Sequence, residues 1–317
     1  MKENLELNTS AKMPVIGLGT WKSKPQEVGH AVEHALVNCG YRHVDCAAIY
    51  GNEKEIGESF NTVFNGGKVK REDVFVTSKL WNTEHDPDRV TKACKKTLHD
   101  LQLDYLDLYL MHWGVAMPSD QGTEPVDSNG YIISAPFSIR DTWEAMEKLV
   151  EDGLVRAIGV ANFTSIMIYD LLSYANIKPA MNQIELHPYN TQHDLVKFCQ
   201  AKGIAVTAYS PLGRPGATPP RPNLDDDKNA ERTLIENNTV REIAKQHDKT
   251  PAQILLRWGI QRNTIVIPKS VNPARIKENM DIFDFELTVE EMEKLSLLDI
   301  RRRYVDPSVW WGIPYFE

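Results

Sequence analysis

The sequence contains few cysteines, and none of them forms a recognisable pair. The four cysteines of this 317-residue chain are widely spaced, and no two of them make a CxxC motif; they are Cys39, Cys46, Cys94 and Cys199. Zinc knuckles and thioredoxin-type redox sites both need such close spacing. We therefore expect reduced, structural thiols and no bound metal.

Long apolar runs and an excess of positive charge are also missing. No stretch approaches the roughly 18 consecutive apolar residues that a membrane helix requires, and the formal net charge is -8. Nucleic-acid binding depends on lysine and arginine clustered on a basic face. We therefore expect no membrane span, no nucleic-acid partner, a small-molecule partner and a cytoplasmic location.

A third absence is the dinucleotide fingerprint GxGxxG after an early strand. The nearest match, residues 17–19, continues Thr20-Trp21-Lys22 and lacks the third glycine. Instead, short β-rich runs alternate with longer helical runs, which is typical of βα units around a parallel sheet. Eight such runs in a chain of this length favour an α/β fold with one (β/α)8 TIM-barrel domain, residues 1–317, over an open sheet.

The boundaries of these elements follow from hydrophobic periodicity and from capping residues. The predicted strands are residues 15–19, 43–45, 74–78, 106–111, 157–160, 181–185, 205–209 and 264–268. The predicted helices are residues 28–38, 52–64, 88–101, 142–150, 165–174, 193–202 and 251–261, with an extra C-terminal helix at 291–298. Start and stop signals support several of them, including Thr250-Pro251 before one helix and Gly153 after another.

Two long loops and a tail interrupt this alternation. Residues 114–138 follow the fourth strand, and residues 212–238, rich in Pro, Gly and Asp, follow the seventh. Loops of this length are often functional lids, and both should lie on the C-terminal face of the barrel, where active sites are built. The tail at 301–317 is aromatic and needs a surface to pack against.

Polar side chains end seven of the predicted strands. They are Asp45, Lys79, His112, Asn162, Glu185, Tyr209 and Lys269, with Tyr50 just beyond the first. A single strand-end Asp usually caps a turn, a single Lys is usually solvated, and a single His is usually a core residue. A barrel brings these side chains together, however, and an acid, an amine, an imidazole and a phenol in one place can hold a proton donor.

The chain resembles the aldo-keto reductase family, and within it the aldose, xylose and aldose-6-phosphate reductases. The resemblance is colinear over roughly the whole chain. It is carried by residues 17–21 (GLGTW), 42–53 (RHVDCAAIYGNE), 77–81 (TSKLW), 103–109 (LDYLDLY), 111–113 (MHW), 182–188 (NQIELHP) and 267–270 (IPKS).

That resemblance implies a catalytic set of Asp45, Tyr50, Lys79 and His112 that reduces an aldehyde or an open-chain aldose. Tyr50 would donate the proton, and His112 would hydrogen-bond the carbonyl oxygen. The ammonium of Lys79, held by Asp45, should lower the pKa of Tyr50. A Schiff base on Lys79, as in barrel aldolases, is an alternative.

The resemblance also implies NADPH as cofactor, with NADH as an alternative. The implied binding residues are Gly19, Thr20, Trp21, Asp45, Asn162, Gln183, Tyr209, Ser210, Leu212, Lys269, Ser270, Val271, Asn272, Arg275, Glu278 and Asn279. Asn162 and Gln183 would bind the carboxamide and Tyr209 would stack on the nicotinamide ring. Residues 212–238 would fold over the cofactor. Lys269 and Arg275, near the start of the last barrel helix with Glu278 and Asn279, suit the extra phosphate.

The implied substrate pocket consists of Trp21, Trp81, His112, Trp113, Trp310 and Trp311, with the tail as one wall. The run Arg301-Arg302-Arg303 is either a solvated basic face or a site for a substrate phosphate. Two alternatives for the whole protein are a sugar-phosphate reductase and a non-catalytic, NADPH-sensing regulatory subunit. The resemblance is compatible with a monomer or a homodimer.

Overall fold

The computed structural model of the chain describes residues 3–214 and 233–316. The strands in these residues are β1 (Asn4–Glu6), β2 (Lys12–Pro14), β3 (Leu18–Gly19), β4 (His43–Asp45), β5 (Phe75–Leu80), β6 (Leu108–Met111), β7 (Ile158–Ala161), β8 (Met181–Glu185), β9 (Ala205–Tyr209) and β10 (Ile265–Val266). The helices are α1 (Glu27–Asn38), α2 (Glu53–Asn65), α3 (Pro87–Leu101), α4 (Ile139–Glu151), α5 (Ser165–Tyr174), α6 (His193–Ala201), α7 (Asn238–Gln246), α8 (Pro251–Gln261), α9 (Pro273–Met280), α10 (Val289–Ser296) and α11 (Pro307–Trp310).

Strands β3 to β10 form a closed parallel barrel. Each strand pairs with its neighbour in chain order, and the first meets the last through hydrogen bonds from the Gly17 nitrogen to the Val266 oxygen at 2.9 Å and from the Gly19 nitrogen to the Pro268 oxygen at 3.1 Å. A β-carbon added at Gly19 would lie 2.8 Å from the Ile267 oxygen, so only glycine permits this approach. The predicted (β/α)8 fold, with α10 as the extra C-terminal helix, is confirmed.

Local capping explains where several helices begin and end. The hydroxyl of Thr250 accepts a hydrogen bond from the Gln253 nitrogen at the start of α8, the Gln253 side chain accepts one in return, and Pro251 occupies the first turn. Ser138 and Asp141 make the same reciprocal pair at the start of α4. Gly153, two residues after α4, has a φ of 72°. The predicted boundaries of α4 and α8 lie within three residues of the observed ones.

The hairpin of β1 and β2, helix α7 and the short helix α11 were not predicted. The hairpin of β1 and β2 lies at the N-terminal end of the barrel, where Leu7 and Met13 pack against a cluster that includes Leu108, Met181 and Ile265. Helix α7 follows the predicted loop 212–238 and buries only Val240, Ile243 and Ala244. The hairpin and α7 each carry few apolar residues, so their hydrophobic periodicity is weak.

The long loop after β6 and the tail pack on each other at the C-terminal face. The Ile132 nitrogen donates to the Trp311 oxygen at 2.9 Å, and Trp311 is 1% exposed.

The predicted loop 212–238 is only partly described, because residues 215–232 lie outside the described ranges. The four cysteines are free, and three of them are buried. Within the described residues no helix is long and apolar enough to cross a membrane.

Candidate active site

A buried lysine connects two of the predicted catalytic residues. Lys79, in β5, is fully buried, and its Nζ donates to Asp45 Oδ1 at 2.6 Å, to the Cys46 oxygen at 2.8 Å and to the Tyr50 hydroxyl at 3.3 Å. Asp45 ends β4, and Tyr50 lies in the short turn that follows it. Parallel pairing of β4 with β5 places these side chains at the same rim of the barrel.

Asp45 is held on both carboxylate oxygens. Its Oδ2 accepts a hydrogen bond from Gln183 Nε2 at 2.7 Å, while its Oδ1 binds Lys79. Asp45 is 1% exposed. A carboxylate buried in this way fixes the charge and the direction of the lysine next to it.

The net pKa of Tyr50 differs from the sequence-based expectation. Burial raises it to about 12, although the Lys79 ammonium acts in the opposite direction. The predicted lowering by Lys79 is therefore present as one contribution, but the expected net direction is wrong, because desolvation of a phenolate outweighs one nearby cation. Tyr50 consequently holds its proton at neutral pH.

His112, directly after β6, faces the same point. Its ring centroid lies 6.0 Å from that of Tyr50 and 5.2 Å from that of Trp81. Burial lowers the pKa of His112 well below its ordinary value, and Lys79 acts in the same direction. A neutral imidazole at this place can donate a hydrogen bond to an oxygen atom without carrying charge.

The Schiff-base alternative for Lys79 is not favoured by this geometry. Burial opposes the charge of Lys79, but Asp45 and Tyr50 outweigh it, and the pKa of Lys79 is raised. A nucleophilic amine needs a lowered pKa and access to the substrate. Lys79 has neither, since its side chain is 0% exposed.

A cleft of about 1200 Å³ opens above these residues. Most of the predicted site residues line it: Gly19, Thr20, Trp21, Asp45, Tyr50, Trp81, His112, Trp113, Asn162, Gln183, Tyr209, Ser210, Leu212, Lys269, Ser270, Arg275, Glu278, Asn279, Trp310 and Trp311. Three do not, namely Lys79, which lies beneath Tyr50, and Val271 and Asn272. In the described ranges no group of three or more His, Cys, Asp or Glu side chains is placed to hold a metal ion.

Two amides and a phenol occupy the part of the cleft nearest Asp45. Asn162 Nδ2 donates to the His112 oxygen at 2.9 Å, and the Tyr209 hydroxyl donates to Asn162 Oδ1 at 2.7 Å. Asn162 has a φ of 63°, a left-handed conformation that asparagine tolerates better than most residues. Amide donors and acceptors beside an aromatic ring match the chemistry of a carboxamide on a flat heterocycle.

Two cationic side chains also line the cleft. Lys269 and Arg275 both line it, and burial lowers the pKa of Lys269, with Arg275 acting in the same direction. Asn272 caps α9 by accepting a hydrogen bond from the Arg275 nitrogen at 3.1 Å. Glu278 and Asn279 lie in the last turn of α9, so their predicted place at the helix start is wrong.

Aromatic side chains form the outer part of the cleft. Trp113 and Trp311 have ring centroids 5.1 Å apart, and the Trp81 nitrogen Nε1 donates to the Thr123 oxygen at 2.7 Å. Sequence reasoning missed several further residues that line the cleft: Lys22, Ile49, Thr123, Glu124, Arg214, Tyr304, Val305 and Val309. Their only sequence signal was a position in a predicted loop, in the tail or beside a predicted site residue.

None of the three consecutive arginines lines the cleft. The Arg303 guanidinium lies 3.7 Å from the ring centroid of Phe316 and donates to Gln192 Oε1 at 3.1 Å. Arg301 is exposed. This placement gives no support to the arginine run as a site for a substrate phosphate.

Comparisons with known proteins agree with this geometry. A model described as "Aldo/keto reductase family" matches residues 15–300. Aldo-keto reductase family 1 member A1 of Sus scrofa is 50% identical over 304 residues, which cover 96% of this chain and 91% of the relative. The Homo sapiens protein of the same name shows the same identity and coverage.

Solved structures give the same result. An aldose reductase from Schistosoma japonicum superposes with a TM-score of 0.90 at 45% identity, covering 99% of this chain and 98% of the other. An aldo-keto reductase from Bombyx mori, solved in complex with NADP, has a TM-score of 0.85 at 38% identity and covers the same shares.

Proposed function

Because the chain belongs to the aldo/keto reductase family and reduces a carbonyl compound with NADPH, we propose that Tyr50 is its proton donor and that its substrates are aldehydes or open-chain aldoses. The observation that carries the proposal is the position of Lys79 Nζ, which binds both Asp45 Oδ1 and the Tyr50 hydroxyl beneath the cleft.

Proton delivery follows from the state of these groups. Tyr50 is protonated at neutral pH because burial raises its pKa. As the proton leaves, negative charge develops on the phenol oxygen, 3.3 Å from the Lys79 ammonium, which stabilises that charge in a low-dielectric site. Neutral His112 orients the carbonyl oxygen by a hydrogen bond, and Asp45 keeps Lys79 charged.

The residues of the cleft fit a nicotinamide dinucleotide along its length. Asn162 and Gln183 offer amides beside Tyr209 and Asp45, and Lys269 and Arg275 offer cations in the same cleft. When bound, NADPH supplies the hydride. The described ends of the loop 212–238, including Leu212 and Arg214, also line the cleft, which supports a role of this loop over the cofactor. NADH is the alternative cofactor. Arg275 is a side chain that could distinguish the two, because a guanidinium binds a phosphate such as the extra one of NADPH.

The outer, aromatic part of the cleft is the proposed substrate pocket. Trp21, Trp81, Trp113, Trp310 and Trp311 provide apolar walls, and the tail at 301–317, whose last residue lies outside the described range, forms one side. A pocket whose walls are mainly aromatic suits an aldehyde carbon chain better than a phosphorylated sugar. The cytoplasmic location and the monomeric or homodimeric assembly stay predictions. So does the absence of a nucleic-acid partner.

Turnover with a substrate panel tests the function directly. The panel consists of glyceraldehyde, xylose, glucose 6-phosphate, mannose 6-phosphate and an aromatic aldehyde, each with NADPH and with NADH. We expect NADPH oxidation with the unphosphorylated aldehydes and a lower KM for NADPH than for NADH. Preference for a sugar phosphate would revive that alternative, and no turnover with any substrate would support the regulatory subunit.

The pH dependence of the two reaction directions should differ. Reduction needs protonated Tyr50, whose pKa is raised to about 12, so kcat for reduction should stay level between about pH 6 and pH 9. Alcohol oxidation needs the phenolate, so its kcat should rise by about tenfold per pH unit below that pKa. Steady-state profiles in both directions check this. A reductive kcat that titrates away near neutral pH would contradict the assignment.

A further inference from the structure

The carboxylate of Glu185, which no step of the proposed mechanism uses, binds the chain's own tail. Glu185 ends β8 and is fully buried. Its Oε1 accepts a hydrogen bond from the Tyr304 nitrogen at 2.7 Å, and its Oε2 accepts one from the Val305 nitrogen at 2.9 Å. A buried charge without partners is costly, and here two backbone N–H groups from a distant segment supply most of the compensation.

The loop after β8 supports the same contact. His187 Nε2 lies 2.9 Å from Glu185 Oε1, and its ring centroid is 5.5 Å from that of Tyr304. The Tyr189 oxygen accepts a hydrogen bond from the Arg302 nitrogen at 2.9 Å. The tail is therefore attached to this loop over several consecutive residues, with the carboxylate at the centre of the contact.

The attached residues are part of the cleft. Tyr304 and Val305 line it and are 5% and 7% exposed, and the tail continues from there to Trp310 and Trp311. Arg214 also donates to the Tyr304 oxygen at 2.8 Å. The position of these walls relative to Tyr50 therefore depends on where residues 304 and 305 are held.

We propose that Glu185 is a positioning residue that anchors the C-terminal tail and thereby determines substrate affinity. The proposal rests on the proposed function, because the pocket it shapes is the one assigned to the carbonyl substrate. Glu185 does not touch the reacting atoms in this proposal; it acts through the tail, and its effect should fall on substrate binding.

The variant Glu185→Gln tests the anchor with little change in volume. A glutamine offers one acceptor oxygen, and its amide hydrogens would face one of the two N–H donors. We expect KM for the aldehyde to rise by about tenfold, as expected for losing a hydrogen bond to a charged group. The Kd for NADPH, measured by protein fluorescence, should change by less than about twofold.

Glu147→Gln is the matched control. Glu147, in α4, is 6% exposed and also accepts a backbone hydrogen bond, from the Ile177 nitrogen at 2.8 Å, but it does not line the cleft. Glu147→Gln should lower the free energy of unfolding and leave KM unchanged. An unchanged KM in stable Glu185→Gln, or an equal rise in KM and in the Kd for NADPH, would overturn the proposal.

A second comparison separates the anchor from a general effect on the barrel. In the full chain carrying Val305→Pro, Glu185 Oε2 has lost its N–H donor, so Glu185→Gln should raise KM by less than it does in the wild-type background. An equal rise in KM in the two backgrounds would show that Glu185 acts without the tail.

Hydrogen exchange keeps the proposal testable if Glu185→Gln does not fold. In the wild-type protein the amides of Tyr304 and Val305 should exchange slowly, and exchange at the rate of an unstructured peptide would refute the anchor. This measurement needs no turnover. A wild-type protein that fails the substrate panel but shows slow exchange here would refute the proposed function and leave the anchor standing.

Discussion

Replacing Tyr50 by phenylalanine is expected to lower kcat for carbonyl reduction by about 100- to 10,000-fold, the usual contribution of a positioned general acid. The phenol is the acidic group beside His112 in the cleft, and it keeps its proton at neutral pH. Phenylalanine preserves the ring and its packing but has no proton to give. Steady-state kinetics with the best aldehyde of the panel, at saturating NADPH, measure the loss.

Tyr41→Phe is the control for losing a buried hydroxyl. Tyr41 is fully buried, its hydroxyl donates to the Ile276 oxygen at 3.1 Å, and neither residue lines the cleft. This variant should keep its kcat while losing about 1 kcal/mol of stability. Tyr50→Phe should bind NADPH as tightly as the wild type. If it retained more than about a tenth of the wild-type kcat, another group would have to supply the proton.

Lys79→Met should affect both stability and activity. The substitution leaves the Asp45 carboxylate, 1% exposed, without its cation, and breaking a buried pair in this way costs about 3–5 kcal/mol. It also removes the ammonium 3.3 Å from the Tyr50 hydroxyl, so we expect kcat to fall by about 100-fold or more. Urea denaturation and steady-state kinetics measure the two effects.

The double variant Asp45→Asn with Lys79→Met separates these effects. With no carboxylate left to bury, much of the lost stability should return, because the unpaired charge is gone. Activity should stay low, since nothing stabilises the charge that develops on Tyr50. Recovery of kcat together with stability would mean that Lys79 serves the fold and not the reaction.

Strand ends were the most informative part of the sequence. Asp45, Lys79 and His112 were singled out because each ends a predicted strand, and the structure places all three around one point, with Asp45 and His112 lining the cleft and Lys79 beneath it. This works because a parallel barrel brings every C-terminal strand end to the same rim, whatever the separation along the chain. Their catalytic roles stay predictions until the variants are measured.

The sequence could not predict the net pKa of a buried group or the contacts of a distant side chain. The neighbouring cation of Tyr50 was correctly expected, but its net pKa also depends on burial, and burial is the larger contribution. Likewise, the sequence left the run 301–303 as either a solvated basic face or a phosphate site, and only the structure shows that Arg303 stacks on Phe316 and does not line the cleft. Both outcomes depend on which side chains surround a group in space.

The sequence by itself determined the succession of eight strands, the caps of helices such as α8 and the set of strand-end polar residues. These features arise from hydrogen bonding and polarity within a few residues, so local patterns are enough to reveal them. Only the tertiary structure decided what the tail contacts. Tyr304 and Val305 lie 119 and 120 residues from Glu185, and they bind it through backbone N–H groups, which every residue except proline possesses and which therefore leave no mark in a sequence.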